Sequence, residues 1–216
     1  MVNKKQGRRQ THTEKPQKKH MKGTHGKMKF IIVADIHFGS PNNSGFSMQN
    51  KYTEQAPEIL RALSRAAVEQ GAEFIIHAGD MITEGTADEI RRAAALCGSL
   101  DVPFYHVLGN HDCIPEDFEA LWLKLGACFF PEGTLETTLI RDGLRIDLLN
   151  NRWGEDSGRY TVGKPFCSRL EQKQFDRLRA GDQTLPRVIV FHSQIRPAYP
   201  RQTGLAGNIH APTDGF

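Results

Sequence analysis

Four short apolar runs in this 216-residue chain each break off at polar residues on their carboxyl side. Phe30–Val33 is followed by Asp35 and His37, and Phe74–Ile76 by Gly79–Asp80. Phe104–Leu108 leads into Gly109–Asn110–His111–Asp112, and Val188–Phe191 into His192. Stretches of helical period separate the first three. Ala56–Gln70 carries Ile59, Leu63, Ala66 and Ala67 at helical spacing and stops at Gly71. Thr86 and Glu89 have the spacing of a capping box, in which hydroxyl and carboxylate each satisfy a free first-turn N–H. They open a helix that aligns Ile90, Ala93, Ala94 and Cys97, which makes Cys97 a core residue. A third helix opens near Pro115, aligns Phe118, Leu121, Trp122 and Leu125, and ends at Gly126. Strand runs alternating with helices specify an α/β fold with parallel pairing. In such folds ligands bind at the carboxyl edge of the sheet, so the polar residues that end the runs are expected in one cleft.

Beyond Gly126 the period changes to two. Leu144, Ile146 and Leu148 alternate after Asp142–Gly143, a hairpin turn that makes the sheet mixed. Ser168 and Glu171 read as a second capping box, opening a helix with Leu170, Phe175 and Leu178. No element is predicted from Gln194 to Phe216.

The charge divides the chain in two. Residues 1–27 hold nine Lys/Arg and one Glu, whereas the remainder holds 19 basic and 24 acidic residues. This excludes a uniformly basic nucleic-acid-binding fold. It predicts a disordered basic leader over 1–27, with Met28 a natural start for the domain over 28–216. Nucleic acid could be met only through that leader, which has no aromatic residue for stacking. No apolar run approaches the roughly 20 residues that span a bilayer, and no apolar segment follows the basic residues as in a secretory signal. Cys97, Cys113, Cys128 and Cys167 lack a C-x-x-C spacing, so reduced thiols and a cytoplasmic setting are expected.

Two carboxylates, two imidazoles and a carboxamide at the strand ends make a mixed oxygen and nitrogen set suited to Mn, Fe or Zn. Asp35 and His37, two apart in an extended chain, would point the same way. The order D-x-H, G-D, G-N-H-D and a strand-terminal His resembles the calcineurin-like metallophosphoesterase family from Met28 to about His192. The resemblance implies two packed mixed β-sheets flanked by helices, a four-layer sandwich, with a dinuclear centre that hydrolyses a phosphomonoester or phosphodiester. It further implies that Asp35 and His37 bind one divalent metal ion, that Asp80 bridges both, and that Asn110 and His192 bind the second. His111 would protonate the leaving group, with Asp112 orienting it.

The family's further G-H-x-H motif has no counterpart; His210 lies in Asn208–Ile209–His210 and reads as a loop residue. The chain is therefore expected to be C-terminally truncated with an incomplete second sheet, weak metal occupancy and weak activity. The alternative is a degenerate relative serving as a binding scaffold. His77 and His106 lie inside strand runs and read as packed and hydrogen-bonded. Cys113 reads as passive, Asn150–Asn151–Arg152 as a solvated turn, and His12, His20 and His25 as exposed.

Overall fold

β1 (Phe30–Val33), β2 (Phe74–His77) and β3 (Phe104–His106) form at the predicted apolar runs and pair in parallel in the order β1-β2-β3. The structure, a computed structural model, describes residues 28–39, 55–153, 158–161 and 168–193. The basic leader with its three histidines, Cys167, His210 and the stretch from Gln194 onward lie outside the described residues.

Helices α1 (Ala56–Gln70), α2 (Ala87–Cys97) and α3 (Phe118–Leu125) connect and follow these strands. α2 carries the expected capping box at Thr86 and Glu89 and buries Ile90, Ala93 and Cys97. α3 buries Phe118 and Trp122 and is followed by Gly126. α1 buries a neighbouring stripe to the expected one. Ala56, Leu60, Ser64 and Ala67 face the core, while Ile59 is 47% exposed. The chosen stripe has small side chains, and the polar one is satisfied because Ser64 Oγ accepts the Asp101 N–H at 3.0 Å.

β4 (Thr137–Arg141) and β5 (Leu144–Leu148) form the hairpin predicted at Asp142–Gly143, and β8 (Arg187–Val190) pairs with β5 in parallel. This second sheet is mixed, in the order β4-β5-β8. Asp142 and Gly143 both hold positive φ, as a tight hairpin turn requires. Two-residue strands β6 (Arg152–Trp153) and β7 (Ser168–Arg169) pair antiparallel beside it.

Ser168 therefore lies in a strand, and the predicted second capping box is displaced by three residues. α4 (Gln172–Ala180) is capped by Glu171 and Gln174. Gln174 rather than Phe175 is the buried residue of that helix.

β2 is buried on both faces. Ile75 joins the core beneath the helices with Leu60, Ile90, Phe104 and Trp122. Phe74 and Ile76 join the layer between the sheets with Leu139, Ile146, Leu148 and Val190. This is the α/β fold expected, with helices and two sheets in packed layers. No helix among the described residues is long and apolar enough to cross a membrane.

Candidate metal centre

Past their last paired residues, β1 and β2 run on side by side, so the polar ends arrive together. The Asp35 N–H donates to the Gly79 carbonyl, and the His37 N–H to the Asp80 carbonyl, each at 3.0 Å. This course demands left-handed backbone at Asp35 (φ 57°), His37 (φ 50°) and Asp80 (φ 58°), a conformation costly outside glycine. Its result is convergence. His37 Nε2 lies 3.8 Å from Asp35 Oδ1 and 3.6 Å from Asp80 Oδ2, and His192 Nε2 lies 3.5 Å from the same Asp80 oxygen.

Two glycines make room for this approach. A Cβ on Gly79 would collide with the His192 ring, and one on Gly109 with the Asp80 carboxylate and backbone. The loop after β3 closes the far side. Asn110 is buried at the head of a 3-10 turn (His111–Cys113), and the His111 N–H donates to Asp80 Oδ1 at 3.0 Å.

The imidazoles are held by their outer nitrogens. His192 Nδ1–H donates to the Ala78 carbonyl at 2.9 Å, and His111 Nδ1–H to the Thr83 carbonyl at 2.6 Å. Each arrangement leaves Nε2 for the interior of the site, the way a metal-binding histidine is commonly oriented. His37 Nδ1 is buried without a hydrogen-bond partner among the described residues. His37 and Asp80 are buried, whereas the Asp35 side chain is 55% exposed and marks the open side.

Burial works to raise the Asp80 pKa, but the hydrogen bond and charge of His192, with His111, outweigh it and hold the carboxyl below its ordinary value. The reciprocal effect acts on His192. Burial opposes its charge, yet Asp80 prevails and raises it to about 9.

Of the residues singled out in the sequence, Asp35, His37, Asp80, His111 and His192 are brought together. Their donor atoms form two overlapping groups, His37–Asp80–His111 and Asp35–Asp80–His192, each within 4.8 Å and both including Asp80. Asn110 sits in the same loop as His111. Carboxylate oxygens and imidazole nitrogens, some buried and some facing solvent, fit hard or borderline divalent cations.

Asp112 departs from its expected position. Its oxygens accept the backbone N–H groups of Met81, Ile82 and Gly109 and face His106 Nε2 at 3.3 Å. The His111 ring is held by Thr83 instead. A carboxylate can satisfy several stranded amides at once, and here it ties the Asp80 loop to the Asn110 loop. His77 and His106 are packed and hydrogen-bonded as expected, with their Nδ1 atoms 3.1 Å apart. Cys113 is fully buried, and burial pushes its thiol well above the ordinary range, as a passive residue requires.

Two features escaped sequence reasoning. Tyr160 sets its ring 6.4 Å from that of His111 and tilted by 35°, with burial and the Asp80 charge raising its phenol pKa; nothing in the sequence marks it. Asn150, Asn151 and Arg152 are not a solvated turn but are all buried. They follow the apolar run of β5 much as the ligands follow theirs, but neutral amides in that place fit a turn equally well.

A calcineurin-like phosphoesterase family profile matches residues 28–201. No curated protein matches the chain. Among solved structures, a dimetal phosphatase from Danio rerio is similar at 15% identity and a TM-score of 0.47, over 70% of this chain and 50% of that one. The chain thus spans about half the length of that structure.

Proposed function

The chain belongs to the calcineurin-like phosphoesterase family, and from that premise we propose that it hydrolyses a phosphomonoester or phosphodiester at a centre holding two divalent cations. The observation that carries this reading is the shared carboxylate. Asp80 is common to both candidate ligand groups, His37–Asp80–His111 and Asp35–Asp80–His192, and its charge is favoured by His192 and His111. Asp35, His37 and Asp80 would hold one cation, and Asp80, Asn110 and His192 the other, in the Mn, Fe or Zn class.

When bound, such a pair neutralises phosphoryl charge and lowers the pKa of water, which is the chemistry an in-line displacement needs. The protein's own groups then divide the remaining work. Asp35, on the open side, lies where a substrate enters. His111 keeps Nδ1–H on Thr83 and presents Nε2 to the site, from which a protonated ring delivers a proton to the departing oxygen. Asp112 acts on this step only through the loop it braces.

The test is hydrolysis of p-nitrophenyl phosphate and its bis-ester with Mn2+, alongside elemental analysis. Asp80→Ala is expected to lose metal uptake and metal-dependent turnover together. Retained activity in Asp80→Ala refutes the assignment. A wild-type protein that takes up metal and yet hydrolyses neither ester supports the scaffold alternative.

A further inference from the structure

We propose that Asn150 and Asn151 are positioning residues for the second of the two cation subsites, the one assigned to Asn110 and His192. The inference rests on the metal-centre reading above, and its own basis is the placement of two adjacent carboxamides at the end of β5.

Both side chains are fully buried, and their hydrogen bonds among the described residues reach segments distant in the chain. Asn150 Oδ1 accepts the Leu108 N–H, two residues before Asn110, while its Nδ2 donates to the Leu135 carbonyl. Asn151 binds both main-chain polar groups of Ser193, the residue after His192. Its Oδ1 accepts the Ser193 N–H at 2.9 Å, and its Nδ2 donates to the Ser193 carbonyl at 3.1 Å and to Ser168 Oγ at 2.7 Å. One dipeptide of the second sheet therefore holds the loop bearing Asn110 and the strand end bearing His192. Asp35 and His37 receive no bond from either amide among those described.

The pair is itself fixed from behind. Gln174, the buried residue of α4, donates Nε2 to the Asn150 carbonyl at 2.7 Å. Two residues along, the Trp153 ring meets the His192 ring edge-on at 6.4 Å. A side-chain amide supplies an acceptor and a donor together, so Asn151 holds both main-chain polar groups of Ser193, and loss of either function loosens the strand end that carries His192. Such residues behind metal ligands typically govern affinity by about 10- to 100-fold.

The expectation is selective. Titration of the metal-free protein with Mn2+ by calorimetry should resolve two binding events in the wild type. Asn151→Ala, and separately Asn150→Ala, should weaken one event at least about tenfold and leave the other within about threefold. Asn151→Ser carries the same comparison if the alanine variant does not fold. Ser64→Ala, a buried change bonded to Asp101 instead, should leave both events intact. Equal weakening of both events, or of neither, overturns the proposal. A second readout needs no metal. Exchange of the His192 ring N–H with solvent, followed by nuclear magnetic resonance, should be faster in Asn151→Ala than in the wild type. If the wild type takes up no Mn2+, the metal-centre reading fails, and ring-proton exchange decides the positioning role alone: unchanged exchange refutes it.

Discussion

Asp35 holds left-handed backbone while exposing most of its side chain, so its conformation is not repaid by its own burial. Replacing it with glycine relieves the strain at little packing cost. Asp35→Gly is therefore expected to raise the stability of the metal-free protein by up to about 1 kcal/mol in urea unfolding, while weakening metal binding. A lowered midpoint would show that the backbone at this position is not strained. His77 offers a second residue-scale expectation. Burial, then the charges of His106, His192 and His37, hold its pKa well below the ordinary value. Below about pH 6.5 the unfolded chain binds a proton that the folded one refuses, so stability falls with falling pH by up to about 1.4 kcal/mol per unit. His77→Phe should flatten this slope between about pH 6 and 5, where His192 is charged in the folded and the unfolded chain alike, whatever its effect on absolute stability. The candidate ligands were legible because a charged residue ending an apolar run has few structural reasons to be there. Asn150 and Asn151 were not, since neutral amides serve turns as readily as buried braces.

The first turn of α2 illustrates how an element's end reaches the site. Glu89 is buried and accepts the backbone N–H groups of Glu84 and Thr86 and the Thr86 hydroxyl. That fixes the loop in which Thr83 holds His111 Nδ1 with its carbonyl and donates its hydroxyl to the His37 carbonyl. Thr86→Ala removes the hydroxyl that accepts the Glu89 N–H and donates to the Glu89 carboxylate, and should cost about 1 kcal/mol. Glu89→Ala strands the part-buried N–H groups of Glu84 and Thr86 together and should cost more, about 1–3 kcal/mol. Both are measured by urea unfolding, and equal losses would mean that the carboxylate adds nothing beyond an ordinary cap. α2 was legible from its capping box and period together. α1 and α4 were less so, because each offers two overlapping stripes or caps. In α4 the choice fell to Glu171 and Gln174 because Gln174 meets Asn150 and Glu136 in the interior. Such a choice depends on the opposing surface, which local sequence does not contain.

At the scale of the molecule, the candidate ligands come from both sheets. Asp35, His37, Asp80 and Asn110 follow strands of the parallel sheet, while His192 follows β8 of the mixed one. The sheets share an apolar layer of Phe74, Ile76, Ile146 and Val190, and the ligand cluster sits at its edge. A cation held by Asp80 and His192 together would therefore link the two sheets, and binding to the folded state alone stabilises it by mass action. At 100 times the dissociation constant this amounts to about 2.7 kcal/mol. Mn2+ should raise the urea midpoint of the wild type, and chelation should reverse the gain. His192 sets the pH dependence. Its raised value near 9 means that its interaction with Asp80 stabilises the metal-free fold fully below about pH 6.5 and is lost as pH rises through about 9. Metal must displace that proton, so the Mn2+ gain should grow from pH 6.5 towards 9 as the metal-free protein weakens. Asp80→Asn removes both the shared ligand and the partner that charges His192, and should abolish the gain at every pH. A gain of undiminished size in Asp80→Asn would mean that the cation stabilises the fold from elsewhere.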